Sequence, residues 1–244
     1  MRVLLLGGNG FLGPHVVEAL EDKYDLRITD VVPINSVHEN AQVDVANFDQ
    51  MREVAEGTDV IVNCSVSRND RRLAFDVNTC GTWNALRVAT ELGHQRFINT
   101  GPRFTMVGPR YLSYDFGIVE DVPPHPGTGL YALSKSLGQT ICQSFAASHS
   151  IHVLTLIFST FSEPRPPLSW NGPMNPFSVT FRDAAQAVRC ALEVDLLNLP
   201  SRSESFFITV DLPQDQCRAG KATRLLGWEP KDNLEGYWRK NSIV

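Results

Sequence analysis

The stretch Arg2–Gly13, RVLLLGGNGFLG, joins a short apolar run to a glycine-rich turn. Arg2–Leu6 reads as a buried strand, and Val3–Leu6 is too short for a signal or transmembrane segment. Gly7, Gly10 and Gly13 suit, in turn, a tight bend, close approach of backbone to a pyrophosphate, and close helix–strand packing. The helix predicted over Phe11–Glu21 turns Val16, Val17 and Leu20 inward, and its free N-terminal N–H groups favour phosphate. A glycine triplet alone is a weak signal. Here it lies between a strand and a helix, and Asp30 closes a second predicted strand, Leu26–Asp30, twenty residues after Gly10. A glycine-rich turn beside a solvated aspartate is the competing reading. The preferred reading is a dinucleotide site in which Gly7, Asn9, Gly10, Phe11, Leu12 and Gly13 form the binding turn. A carboxylate at Asp30 accepts hydrogen bonds from both ribose hydroxyls and repels a 2′-phosphate. Arg27 lies inside the strand rather than after it, so the expected cofactor is NAD, not NADP.

Outward from this turn, short apolar runs alternate with helical patterns. Helices are predicted over Asn47–Glu56, Asp70–Leu92 and Leu130–Ser148, and strands over Asp59–Cys64, Arg96–Thr100 and His152–Phe158. Continuous apolar strands between helices imply an α/β fold: a doubly wound parallel sheet of Rossmann type, covered on both faces. After Phe158 the pattern changes, since Ser162–Pro176 carries five prolines and suits neither a helix nor a central strand. A helix over Arg182–Val194, a strand over Phe206–Val210 and a short helix ending at LLGWEP follow. The division expected is a core over residues 1–160 and a small C-terminal substrate lobe over 161–244, interleaved with the last core elements.

The 244 residues can bury one sizeable core. A net charge of −5, with no lysine/arginine cluster, gives no electrostatic case for nucleic acid. The five cysteines are scattered without a CxxC pair, which predicts reduced thiols and a cytoplasmic, membrane-free protein. The six histidines form no HxxxH or HxH pair, so no metal is expected.

Gly129–Lys135, GLYALSK, places Tyr131 and Lys135 one helical turn apart on one face. That spacing suits a proton-transfer pair, but also a core tyrosine beside a lysine reaching for solvent. The glycine spacing GxxGxxG together with YxxxK resembles the extended short-chain dehydrogenases/reductases, the NAD-dependent epimerase/dehydratase group. The resemblance covers almost the whole chain. QVDVAN, with Asp44 and Val45, is similar to the family's adenine-contacting turn. VIVNCSV, with Cys64, Ser65 and Val66, is similar to the strand end along the cofactor. DVNTCGTWNALRVATELG resembles the Asn-x-x-Gly-Thr helix, with Asn78 as the asparagine. VPPHPGTGLYALSK, STFSEPR and the closing KATRLLGWEPKDNLEGYWR are most similar to uronate dehydrogenases. The resemblance implies that Tyr131 is the acid/base for a substrate hydroxyl or carbonyl. It implies that Lys135 holds the nicotinamide ribose and favours tyrosinate, and that Thr100 and Phe158 border the cofactor.

Two departures stand out. Where the family has a serine or threonine after the fifth strand, this chain places Pro102 or Arg103, and proline has no side-chain donor. Thr105 is the preferred replacement hydroxyl, with Thr100 the alternative. Where uronate enzymes hold a carboxylate with arginine, NGPMNPFSVTFRD offers proline or methionine, leaving Arg165 and Arg182 as substitutes. The resulting expectation is an NAD-dependent oxidoreductase or epimerase/dehydratase acting on a sugar or sugar acid. The alternative is an NAD-binding regulatory or assembly protein whose catalytic centre has decayed. Leu133, Leu137, Ile141 and Phe145 form an i+4 row matched by Leu86 and Thr90. With the family's habit of pairing these helices, that row predicts a homodimer.

Overall fold

In the computed structural model, which describes residues 1–107, 118–162, 177–211 and 217–234, the opening apolar run lies near the centre of a parallel sheet. The strands are β1 (Arg2–Leu6), β2 (Asp25–Asp30), β3 (Glu39–Gln42), β4 (Val60–Asn63), β5 (Arg96–Pro102), β6 (His152–Phe158), β7 (Thr160–Phe161), β8 (Ser178–Val179) and β9 (Ser203–Phe207). Seven of them form one sheet in the order β3-β2-β1-β4-β5-β6-β9, and β7 pairs with β8 separately. Leu6 stands beside Thr29 on one side and Asn63 on the other. The order reverses direction between β1 and β4, so the crevice beyond their carboxyl ends is the place where such sheets bind ligands.

Two-sided burial explains why β1 has no polar alternation. Val3 and Leu5 join an apolar layer with Val16 and Leu20 of α1 (Gly13–Leu20) and Val188 of α7 (Phe181–Glu193). Leu4 and Leu6 point the other way, to Met51 of α2 (Phe48–Ala55), Leu86 of α4 (Thr82–Glu91) and Phe145 of α6 (Leu130–Ser148). Asn47 caps α2 by accepting from the Gln50 N–H at 3.1 Å, and Thr180 caps α7 by accepting from Asp183 at 3.1 Å. The chain after Phe158 returns to the core, with α7 packed on α1 and β9 paired to β6. The closing segment is pinned there too. Trp228, fully buried, donates its indole N–H to the Asp183 carbonyl at 2.9 Å, just beyond α8 (Gly220–Leu226).

Several elements differ from the sequence-based expectation, among them the short β7, β8 and α5 (Phe104–Val107) and three described next. The single helix expected over Asp70–Leu92 is α3 (Arg71–Phe75), a π-helical stretch at Asp76–Gly81, and then α4. Its wider turn lets the backbone at Asn78 meet α6, where a Cβ on Gly138 would lie 2.4 Å from the Asn78 carbonyl oxygen. The strand expected at Phe206–Val210 begins at Ser203, because pairing to β6 runs from Val153↔Ser203 to Ile157↔Phe207. The edge strand β3 was not expected: ENAQ carries no apolar signal, and its ladder to β2 alone defines it.

All five cysteines are free. No helix among the described residues is long and apolar enough to cross a membrane, and none of their His, Cys, Asp and Glu clusters suits a metal. The apolar row on α6 is divided. Phe145 is core and Leu137 is 40% exposed, while Leu86 is fully buried and belongs to the monomer's interior.

Candidate active site

The turn after β1 is fixed by two hydrogen bonds, from the Gly7 and Gly8 N–H groups to the Thr29 carbonyl, each 2.9 Å. Gly7 has φ +78°, and a Cβ there would lie 2.8 Å from the Cys64 and Ser65 backbone, so only glycine fits beside the end of β4. A Cβ on Gly13 would meet the Gly8 carbonyl oxygen at 2.3 Å, which is the close packing of helix start on turn. At Gly10 the nearest atom to such a Cβ is 3.2 Å away, leaving this part of the turn open toward a ligand. Asp30 accepts the Asn9 N–H at 2.9 Å and the Val32 N–H at 3.3 Å. Its half-exposed carboxylate is thus held at the end of β2, beside the glycine turn.

A cleft of about 560 Å³ opens from this turn. Among its lining residues are the predicted Gly7, Asn9, Gly10, Phe11, Leu12, Cys64, Val66, Thr100, Tyr131, Lys135 and Phe158. The α6 pair therefore shares one cavity with the glycine turn. Lys135 is 4% exposed and donates to the Ser65 carbonyl at 2.9 Å and the Thr100 carbonyl at 3.2 Å. Burial lowers its pKa to about 8. Burial raises the Tyr131 pKa, and the Arg68 guanidinium works in the opposite direction through its charge and a hydrogen bond. The guanidinium of Arg68 is thus a cation beside the phenol that the sequence analysis did not name. Burial pushes the Cys64 thiol up to about 12, so it stands in the cleft as an apolar wall.

Other predicted residues lie around the cleft or behind it. Val45 is buried against Gly81, and Asp44 accepts from the Ala46 N–H at 2.9 Å. The Ser65 hydroxyl donates to Asn63 Oδ1 at 2.6 Å. Asn78 is 1% exposed and acts as a brace: its Oδ1 accepts from the Ser67 N–H at 3.1 Å. Its Nδ2 donates to the Ser67 carbonyl at 2.7 Å and to the Ser134 hydroxyl at 2.9 Å.

The structure does not bring Thr105 to the cavity. It lies in the single turn α5 (Phe104–Val107), fully buried, with its hydroxyl donated to the Pro102 carbonyl at 2.9 Å. Thr100 does line the cleft, but its hydroxyl donates to the Asn63 carbonyl at 2.9 Å. Arg182 pairs with Asp232 and borders a separate groove with His15 and Arg189, while Arg165 lies outside the described residues. Sequence reasoning missed Arg68, Phe104, Ser159 and Phe161, all of which line the cleft. No spacing rule points to them, because three different strand ends bring them together.

A model of the NAD-dependent epimerase/dehydratase family matches residues 3–195. The chain belongs to this family. Its cofactor is NAD, and the glycine turn, Asp30 and Lys135 fit that dinucleotide. L-arabinose 1-dehydrogenase (NAD(P)(+)) of Haloferax volcanii is 24% identical over 95% of this chain and 97% of its own. A point mutant of uronate dehydrogenase from Agrobacterium tumefaciens, solved with NAD, superposes with TM-score 0.81 at 22% identity, covering 97% of this chain and 86% of that one. UDP-glucose 4-epimerase from Thermotoga maritima, solved with UDP-glucose, gives TM-score 0.78 at 18% identity, covering 97% and 96%.

Proposed function

We propose that this family member is an NAD-dependent oxidoreductase acting on a sugar or sugar acid, with Tyr131 as the acid/base. The observation that carries the reading is the convergence of a half-buried phenol, a buried ammonium and the glycine turn in one cleft. Bound NAD supplies the hydride acceptor or donor. Tyr131 takes the proton from the substrate hydroxyl as hydride leaves its carbon, or returns it in the reverse direction. Lys135, fixed by two carbonyls, offers its remaining donor to the nicotinamide ribose. The segment beyond β6 supplies the substrate side, where Ser159 and Phe161 line the cleft together with Phe104. The sugar dehydrogenases and epimerases named above support a carbohydrate substrate.

NADH absorbance followed against uronates, aldoses and nucleotide sugars tests this reading, and turnover of at least one class is expected. Pro102, lining the cleft where the family has a serine or threonine, favours a second reading, an NAD-binding regulatory protein. Tight NAD binding with no turnover across that panel would decide for it.

Asp30 is proposed to hold the adenosine ribose. Asp30→Ala should weaken NAD binding by about 1.5–3 kcal/mol, the worth of a charged hydrogen-bonding pair. Calorimetric titration of NAD and NADP checks this, and a wild type preferring NADP would overturn it. A homodimer is proposed through the outer faces of α4 and α6, where Trp83 is 44% and Leu137 40% exposed. A monomeric mass by light scattering at micromolar concentration would count against it.

A further inference from the structure

We infer that Arg68 is a positioning residue of the active site, holding a cation against the Tyr131 phenol where Pro102 supplies no side-chain donor. The guanidinium carbon lies 5.3 Å from the Tyr131 ring centroid and 6.0 Å from that of Phe11. Arg68 thus spans the cleft from the glycine turn to α6, lying on one aromatic face at each end. All three residues line the same cavity.

The backbone beside it is held, and the exposed Arg68 side chain reaches back over the rings from there. Arg68 follows Ser67, whose N–H and C=O are both held by the Asn78 side chain. Asn78 is in turn hydrogen-bonded to Ser134, between Tyr131 and Lys135 on α6. One buried amide therefore locks the backbone next to Arg68 onto the helix that carries the phenol. A planar guanidinium can stack on the ring and still direct N–H groups at its oxygen.

The charges around the phenol leave this role to Arg68. Lys135 spends two donors on the Ser65 and Thr100 carbonyls, with the Cys64 and Cys142 thiols beside it. No Asp or Glu is among the described residues lining the cleft, so no carboxylate there competes for the guanidinium. The Arg68 charge opposes burial at Tyr131 and also disfavours the charged form of Lys135.

The role rests on Tyr131 as the acid/base, but its test does not need turnover. Tyrosinate formation is followed by ultraviolet difference spectroscopy in NAD-saturated protein, with Tyr131→Phe as the subtraction that isolates this phenol. Arg68→Gln should move the Tyr131 midpoint to higher pH, with ~10-fold less tyrosinate at a fixed pH below it. Arg68→Lys, which keeps the charge but not the fork, should fall between the two. An unchanged midpoint in Arg68→Gln would overturn the inference, as would a Lys variant no different from Gln. If the midpoint moves but no sugar is turned over, the role of Arg68 stands and the oxidoreductase reading fails.

Discussion

Tyr131→Phe is expected to abolish measurable turnover while leaving the NAD dissociation constant near that of the wild type. The substitution removes one oxygen and keeps the ring, so the packing of Arg68 over that ring is retained. The proposed dinucleotide contacts lie elsewhere, at the Gly7–Gly13 turn, Asp30 and Lys135. What disappears is the only phenol in the cleft among the described residues. A positioned proton-transfer group contributes typically 10²–10⁴-fold, and the hydroxyl here is also the partner of Arg68. Steady-state rates beside a fluorescence titration of NAD separate the two effects. A rate within tenfold of wild type would remove Tyr131 from the chemistry. A large loss of NAD affinity would make it a binding residue.

The legible part of this protein was the part governed by period and spacing. VLLL before GGNG, with Asp30 closing the next strand, already implied a doubly wound sheet. The sheet formed as expected because strands buried on both faces must be apolar throughout. Local chemistry hid the rest. ENAQ pairs as an edge strand through its backbone ladder and the Glu39–Arg27 ion pair, and the π-turn at Asn78 lies where two helices meet. The cleft was half legible. Eleven lining residues could be named from motifs, yet Arg68 belongs to no motif and gains meaning only from Tyr131 and Phe11, far away in sequence. Thr105 failed for a related reason. A hydroxyl three residues past Pro102 is well placed to bond back to its carbonyl and close a turn, and it does so.

The second large effect is on stability, through Lys135. Its ammonium is almost wholly buried, and burial brings its pKa down from 10.5 to about 8. A folded pKa below the unfolded one means that between these values the unfolded chain binds more protons. Unfolding free energy from this group therefore rises with pH across that window. The contribution is complete above 10.5 and is lost as pH falls through about 8. At ~1.4 kcal/mol per pH unit, the gap corresponds to about 3 kcal/mol. Cys64 and Cys142, each pushed up to about 12, act in the opposite sense above pH 9 and would mask it in the wild type alone. Lys135→Met keeps the volume and both thiols, so the difference between the two proteins isolates the lysine. Urea unfolding at steps from pH 7 to 10.5 should show the wild type gaining on the Met variant by about 3 kcal/mol. At neutral pH the buried charge is then a cost carried in the folded state for a donor at the ribose, and NAD binding should weaken in the same variant. Parallel stability curves would mean that the two carbonyls fully compensate the burial of the charge, leaving Lys135 no alkaline titration linked to folding.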